Sequence, residues 1–275
     1  MMAHKKIMRT IGINIFAWVL SIILITPLIL ILINSLKTKG EASLMNLSLP
    51  QEIQLSNFTT VIEKGKLDTA FLNSLIYSVF SVVLCTLTSS MAAYVLSRNR
   101  SKANRIIYFI IVLGITMPIN FIALMKIMQI LQIVNTRIGI ILLYAAIQTP
   151  FNVFLIYSFV GKIPRDIDEA AIIDGCSPLR LFFSIVFPLL KPVLVTVMVL
   201  TFLNTWNEYV LPLYYLSKTD YWPMTEAVYN FFGMYFRDWN LICADIVLTS
   251  LPVIIVYLLG QKYIVSGMTA GAVKG

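Results

Sequence analysis

Apolar residues in this chain run in long unbroken stretches separated by short polar clusters. That is neither the alternation of a half-buried strand nor the stripe of a surface helix. An apolar helix needs about 20 residues to cross the hydrocarbon core of a bilayer. Stretches that meet this requirement predict six spans, at residues 11–33, 71–96, 106 to about 125, 138–160, 193–215 and 242–264. The fifth is cut from a longer run, 179–216, which would overshoot a bilayer at about 1.5 Å per residue. Lys191 lies there between Pro188 and Pro192. A lysine belongs at the membrane interface and prolines interrupt helices, so residues 181–190 are expected to lie along one membrane face. The pattern therefore predicts an all-α integral membrane protein with six transmembrane helices and a single domain over residues 1–275. The loop at 34–70 is expected to be a small folded segment packing on the helix ends.

Composition supports the bilayer as solvent. The chain is 59% hydrophobic and only 12% charged, against about 25% charged in soluble domains. The first run follows the basic start "MMAHKKIMRT", is too long for a signal-peptide core and lacks a small-residue cleavage site, so it reads as a retained helix. The net charge of +8 could suggest nucleic acid, but its placement points to membrane orientation. With the N-terminus inside, twelve Lys and Arg fall in inner segments and seven in outer ones, and the tight basic turn "SRNRSKANR" (97–105) falls inside. Both termini are then cytoplasmic. Cys85, Cys176 and Cys243 lie far apart without metal-ligand spacing, and the lone histidine, His4, sits in the basic N-terminal tail where it is expected to be solvated.

The inner loop 161–190 begins "GKIPRDIDEAAIIDGCSP". Pro164 suits the first turn of a helix, and Asp166, Asp168 and Glu169 complement the positive end of its dipole. Ile167, Ala170, Ala171 and Asp174 fall at i, i+3, i+4 and i+7 and share a predicted face. Gly175 supplies a stop, and Ser177-Pro178 starts a second helix with a cap followed by proline. A small face edged by Glu169 and Asp174 suits docking into a groove on another protein. It suits equally an ordinary connection packing its alanines on its own bundle.

"EAAIIDGCSPLRLFFSIVFPLLKP" closely resembles the EAA loop of binding-protein-dependent ABC importer permeases: Glu169, Ala170, Ala171, Asp174, Gly175, Ile185 and Pro188 match the pattern, with Phe187 in place of the usual leucine and Cys176 where a small residue is common. "NSLIYSVF", "MAAYVLSR", "VNTRIGIILLYAA", "FLNTWNEY" and the ending "QKYIVSGMTAGAVKG" extend the resemblance over nearly the whole chain, and resemble in particular the maltose-type second permease of the carbohydrate branch. The resemblance implies the type I ABC importer permease fold in a bacterial cytoplasmic (inner) membrane. It implies a second homologous permease, two cytoplasmic ATPase subunits and an extracytoplasmic substrate-binding protein as partners. Asp168, Glu169, Ala170, Ala171, Asp174 and Gly175 would dock a coupling helix on the ATPase, and the tail 267–275 could reach the same interface. No G-x-x-x-x-G-K-[ST] segment is present, so the chain cannot supply a phosphate cradle and the energy must come from a separate subunit; no cofactor is expected in this chain, with ATP and Mg used by the partner ATPase.

Polar groups inside spans are costly and mark candidate pathways. The fifth span carries "NTWNE": Asn204, Trp206, Asn207 and Glu208 could hydrogen-bond or stack on a sugar. The same residues could instead form an interfacial aromatic belt and interhelical hydrogen bonds. Asn120, Gln148 and Asn152, each near a proline, are open to both readings, and Asp245 is expected at the interface. The expected function is import of a carbohydrate, with a polyol or glycerol phosphate carried by the same machinery as the alternative. A stand-alone secondary transporter would show paired ionisable residues or interrupted helices at corresponding points of two halves. An intramembrane enzyme would need an H-E-x-x-H or aspartate-pair constellation. The sequence shows neither pattern.

Overall fold

The computed structural model describes the backbone of residues 2–232 and 237–272 and the side chains of residues 10–232 and 237–264. The expectations for His4 and for the tail 267–275 fall outside the described side chains. The helices are α1 (Met2–Ser35), α2 (Lys39–Ala42), α3 (Ser56–Lys64), α4 (Leu67–Arg98), α5 (Lys102–Leu113), α6 (Phe121–Ile130), α7 (Arg137–Val160), α8 (Asp166–Ile173), α9 (Pro178–Leu189), α10 (Lys191–Asn207), α11 (Val210–Tyr215), α12 (Met224–Ala227) and α13 (Trp239–Ala272). Among the described residues, four continuous helices are long and apolar enough to cross a membrane: Thr10–Ser35, Leu67–Arg98, Arg137–Val160 and Trp239–Ile264. They coincide with the first, second, fourth and sixth expected spans.

The other two expected spans are not single helices, and proline chemistry accounts for both. Residues 106–125 divide between α5 and α6: α5 ends at Gly114, Pro118 cannot donate a backbone hydrogen bond, and Asn120 restarts the chain by accepting Ala123 N–H at 3.0 Å. Asn120 is thus a helix cap. The fifth expected span, 193–215, divides between α10 and α11. A helix running through it would need an N–H from residue 212 to reach the carbonyl of residue 208, and residue 212 is proline. Upstream, α9 meets α10 at 79°. Pro188 and Pro192 crowd this join, and within α9 the turn Leu181–Val186 widens to a π-helix.

The chain divides into two compact units, Met1–Asp68 with Ala227–Leu251, and Thr69–Glu226 with Pro252–Gly275. In the first, the connection after α1 folds on a polar knot. Lys37 is fully buried, and its Nζ donates to Asn34 Oδ1 and to Asn46 O and Oδ1 at 2.8–3.1 Å. Asn57 donates to the carbonyls of Ser35 and Lys37, and Asn240 donates to Asn57 Oδ1 at 2.8 Å. Asp245 is buried in this unit, at 1% exposure.

Among its described residues the second unit has two apolar cores. One gathers Ala93, Leu96, Val153, Ile156, Val160, Phe182 and Val197; the other Tyr77, Ile140, Leu143, Tyr144, Leu211 and Tyr215. Within this unit α10 and α13 touch backbone to side chain: Thr196 Oγ1 donates to Tyr263 O at 2.8 Å, and a Cβ on Gly260 would lie 2.6 Å from Val199. Small residues permit such approach between membrane helices. Gly260→Val is expected to cost about 1–3 kcal/mol by overpacking, seen as a lower melting temperature of the detergent-purified protein. Unchanged melting would show that these helices are free to separate.

Candidate functional site

The second unit carries two candidate sites, and the first is the loop helix α8. It runs eight residues and ends at Gly175, whose φ of +78° is the left-handed conformation that glycine adopts without strain. Ser177 Oγ then accepts Arg180 N–H with proline following at the first helical position, so α9 begins as its sequence predicts. Three contacts staple α8 to the end of α4. Arg98 Nε forms a buried ion pair with Asp168 Oδ2, Arg98 Nη1 donates to Ile163 O at 3.0 Å, and Arg165 Nη2 donates to Arg98 O at 3.2 Å.

The six residues assigned to docking therefore divide by environment. Asp168 and Ala171, three positions apart, turn inward, Ala171 joining the core of Val160, Phe182 and Val186. Glu169, Ala170, Asp174 and Gly175 face outward. With them stand Ile172, Ile173 and Leu179, all highly exposed, which spacing alone did not single out. On the face predicted from Ile167, Ala170, Ala171 and Asp174, Ala171 is buried and Ile167 half-buried while Ala170 and Asp174 stay exposed, so that side packs partly on its own bundle.

Asp168→Asn would leave the Arg98 guanidinium buried without a counter-charge, a loss of about 3–5 kcal/mol for pairs of this kind. It is expected to speed tryptic cleavage at Arg165 and Arg180, and the exchanged pair R98D/D168R should slow it again. Equal cleavage in all three proteins would mean that the ion pair does not hold the loop.

The second candidate is a cavity of about 310 Å³ lined by Tyr144, Ile147, Gln148 and Phe151 of α7, Asn204 of α10, Glu208 in the break, and Leu211 of α11. The break at Pro212 builds it. Glu208 is extended at ψ 124°, its Oε1 accepts the N–H groups of Val210 and Leu211 at 2.7 and 3.2 Å, and its orphaned carbonyl accepts Thr225 Oγ1 at 3.1 Å. Gln148 Nε2 donates to Thr205 Oγ1 at 2.8 Å, and Asn152, buried, donates to Thr201 Oγ1 at 2.9 Å and to Cys85 Sγ. These bonds set the spacing of α7 and α10. Pro150 interrupts the ladder of α7, and Thr149 Oγ1 bonds back to Ala145 O at 2.7 Å.

Of the four residues proposed for the pathway, Asn204 and Glu208 line the cavity. Trp206 does not: it is 1% exposed, stacked on Phe202 at 5.5 Å and edge-on to Phe71 at 5.9 Å. Asn207 is exposed, and its Nδ2 donates to Leu203 O. Tyr144 and Glu226 were not singled out from sequence. Tyr144 Oη is buried without a hydrogen-bond partner, and so are both carboxyl oxygens of Glu226, which is fully buried. Their signal was a hydroxyl inside an apolar run and a lone acid within "WPMTEAVYNFF".

Glu226 lies outside the spans. Burial, with the Glu208 carboxyl adding like charge, pushes its pKa up to about 7 from 4.5. The unfolded chain loses its proton first, so stability from this group is full below pH 4.5 and falls as pH rises to about 7. Glu226→Gln is expected to raise the melting temperature at pH 8, equivalent to about 1–3 kcal/mol, and to leave it unchanged near pH 4.5. The reverse order of effects would show that Glu226 is ionised and stabilised in place.

Residues 86–270 match the family described as binding-protein-dependent transport system inner membrane component. The chain is 37% identical, over 93% of its length and 94% of the relative's, to a probable starch degradation products transport system permease protein, AmyC, of Thermoanaerobacterium thermosulfurigenes. It is 32% identical, over 99% of both, to the melibiose/raffinose/stachyose import permease protein MelC of Bacillus subtilis. A crystal structure of a bacterial ABC transporter involved in the import of the acidic polysaccharide alginate superposes with a TM-score of 0.81, at 26% identity, over 93% of this chain and 96% of the other.

Proposed function

The chain belongs to the family of binding-protein-dependent transport system inner membrane components, and from that premise we propose that it moves its cargo by alternating access driven through α8. It is a multi-pass membrane permease of an ABC importer, and its cargo is a carbohydrate. As a transport subunit of this family it works with a permease partner, an ATPase and a binding protein.

One observation carries the finer reading. Asp168 and Arg98 anchor α8 to the bundle, while Glu169, Ala170, Ile172 and Ile173 stand exposed on its far side. A short helix rigidly tied to a span, with an outward apolar ridge edged by acid, is suited to pass movement from a docked protein into the bundle. The partner it fits is a cytoplasmic ATPase with a basic group facing Glu169. The chain itself carries no phosphate-binding loop, so the ATP and Mg are used by that subunit and this chain acts as the transport subunit. The full assembly is a heterodimer with a second permease, two ATPase subunits and an extracytoplasmic binding protein, in a bacterial cytoplasmic membrane with both termini inside. Asn204 and Glu208, with Tyr144 and Gln148 beside them, contact the cargo's hydroxyl groups on its way through.

Glu169→Lys reverses the charge at the docking edge. It is expected to abolish sugar uptake while the permease stays inserted at normal level, with less ATPase recovered by affinity purification of this chain from native membranes. Normal uptake together with normal ATPase recovery would sink the coupling role of α8.

A further inference from the structure

We propose that the cavity between α7 and α10 admits an uncharged polyhydroxyl compound and rejects a saccharide bearing carboxylate or other anionic groups. The proposal rests on the pathway reading above and adds to it the charge class of the cargo.

The walls carry the argument. Their polar groups are the phenol of Tyr144, the amides of Gln148 and Asn204, and the carboxyl of Glu208; Ile147, Phe151 and Leu211 supply the rest. The hydroxyl and amide groups pair with hydroxyls of a neutral sugar in either direction, the Glu208 carboxylate accepts from them, and Phe151 and the aliphatic side chains suit the C–H faces of its rings. Tyr144 Oη, buried and unpartnered, is a polar atom that a ligand hydroxyl would satisfy. An anion finds no complement. None of the lining residues is Lys, Arg or His, and the one formal charge the walls can bear is negative. A second acid, Glu226, is buried close enough to Glu208 for their like charges to interact, which adds to the acidic character on that side of the cavity.

The cations on the neighbouring stretches are engaged elsewhere. Arg137 Nε donates to Asn73 Oδ1 at 3.1 Å with its guanidinium 5.1 Å from the centre of the Tyr221 ring, and Lys218 Nζ lies 5.4 Å from the same ring. Bringing a carboxylate into a desolvated site beside Glu208 would bury like charges together, a standard means of excluding the wrong ligand.

The test labels the cavity within the intact complex purified from native membranes. Cys85 and Cys243 are buried, so Cys176→Ser gives a quiet background. Asn204→Cys is then reacted with a small maleimide, with Ile147→Cys on the opposite wall as a second reporter should the first fail to assemble. The probes are raffinose, which is neutral, and trigalacturonate, which is acidic and of similar length. Raffinose is expected to slow labelling at half-saturation concentrations at least about tenfold lower than trigalacturonate, the scale of a like-charge penalty. Protection by trigalacturonate equal to or better than raffinose would overturn the charge assignment alone. Protection by neither at both reporters would remove the cavity from the pathway and overturn both readings.

Discussion

Pro212 has no N–H to offer the carbonyl of Glu208, and the centre of the larger unit is arranged around that deficit. In hydrocarbon an unpaired backbone group costs several kcal/mol, so a helix that loses a bond must find another partner or stop. Here it stops. Thr225 reaches across to the abandoned carbonyl, the Glu208 side chain turns to cap the next short helix, and the gap between α10 and α11 becomes part of a cavity. Prolines also stand at the α5–α6 break (Pro118) and at the α9–α10 join (Pro188 and Pro192), where Asn120 caps the restarted helix and the turn Leu181–Val186 widens.

The loop helix obeys a different logic. It is too short to be stable by itself, since isolated helices of fewer than about 12 residues are marginal in water. Its order comes from one buried ion pair and two charge-assisted bonds between its entry and the end of α4, Arg98 to Ile163 O and Arg165 to Arg98 O. That anchoring leaves Ile172, Ile173 and Leu179 exposed, an arrangement that makes sense for a surface completed by another protein. A rigid joint on one side and an unfinished apolar face on the other are what a mechanical link between two subunits requires.

The polar knot around Lys37 shows how the connection after α1 holds its shape. A buried lysine is tolerated when its donors all find acceptors, and Asn34 and Asn46 supply them. Beside it, the Thr38–Glu41 capping box closes α2, and hydrogen bonds from the backbone of Gln51 and Thr38 hold the Glu41 carboxyl below its usual range. A segment of mixed composition is thereby folded without a large apolar core.

The division between sequence and tertiary structure follows from the range of the forces involved. The long apolar helices, the glycine corner at 175 and the Ser177-Pro178 restart are local properties, and each was legible in the chain. The EAA pattern made the family legible as well. Hydropathy did not show the interruptions within 106–125 and 193–215, because it counts apolar side chains, whereas a helix ends where its backbone bonds do. Which side of α8 faces out was decided by Arg98, 70 positions away from Asp168 in sequence. Asn204 and Glu208 stood out as polar residues in an apolar run, but Trp206 had the same signal and became core packing between Phe71 and Phe202. Tyr144 and Glu226 gained meaning only when folding buried them without partners near the same cavity. Local chemistry sets where helices can begin and end, and only packing between distant helices decides which of their polar groups are left facing an open space.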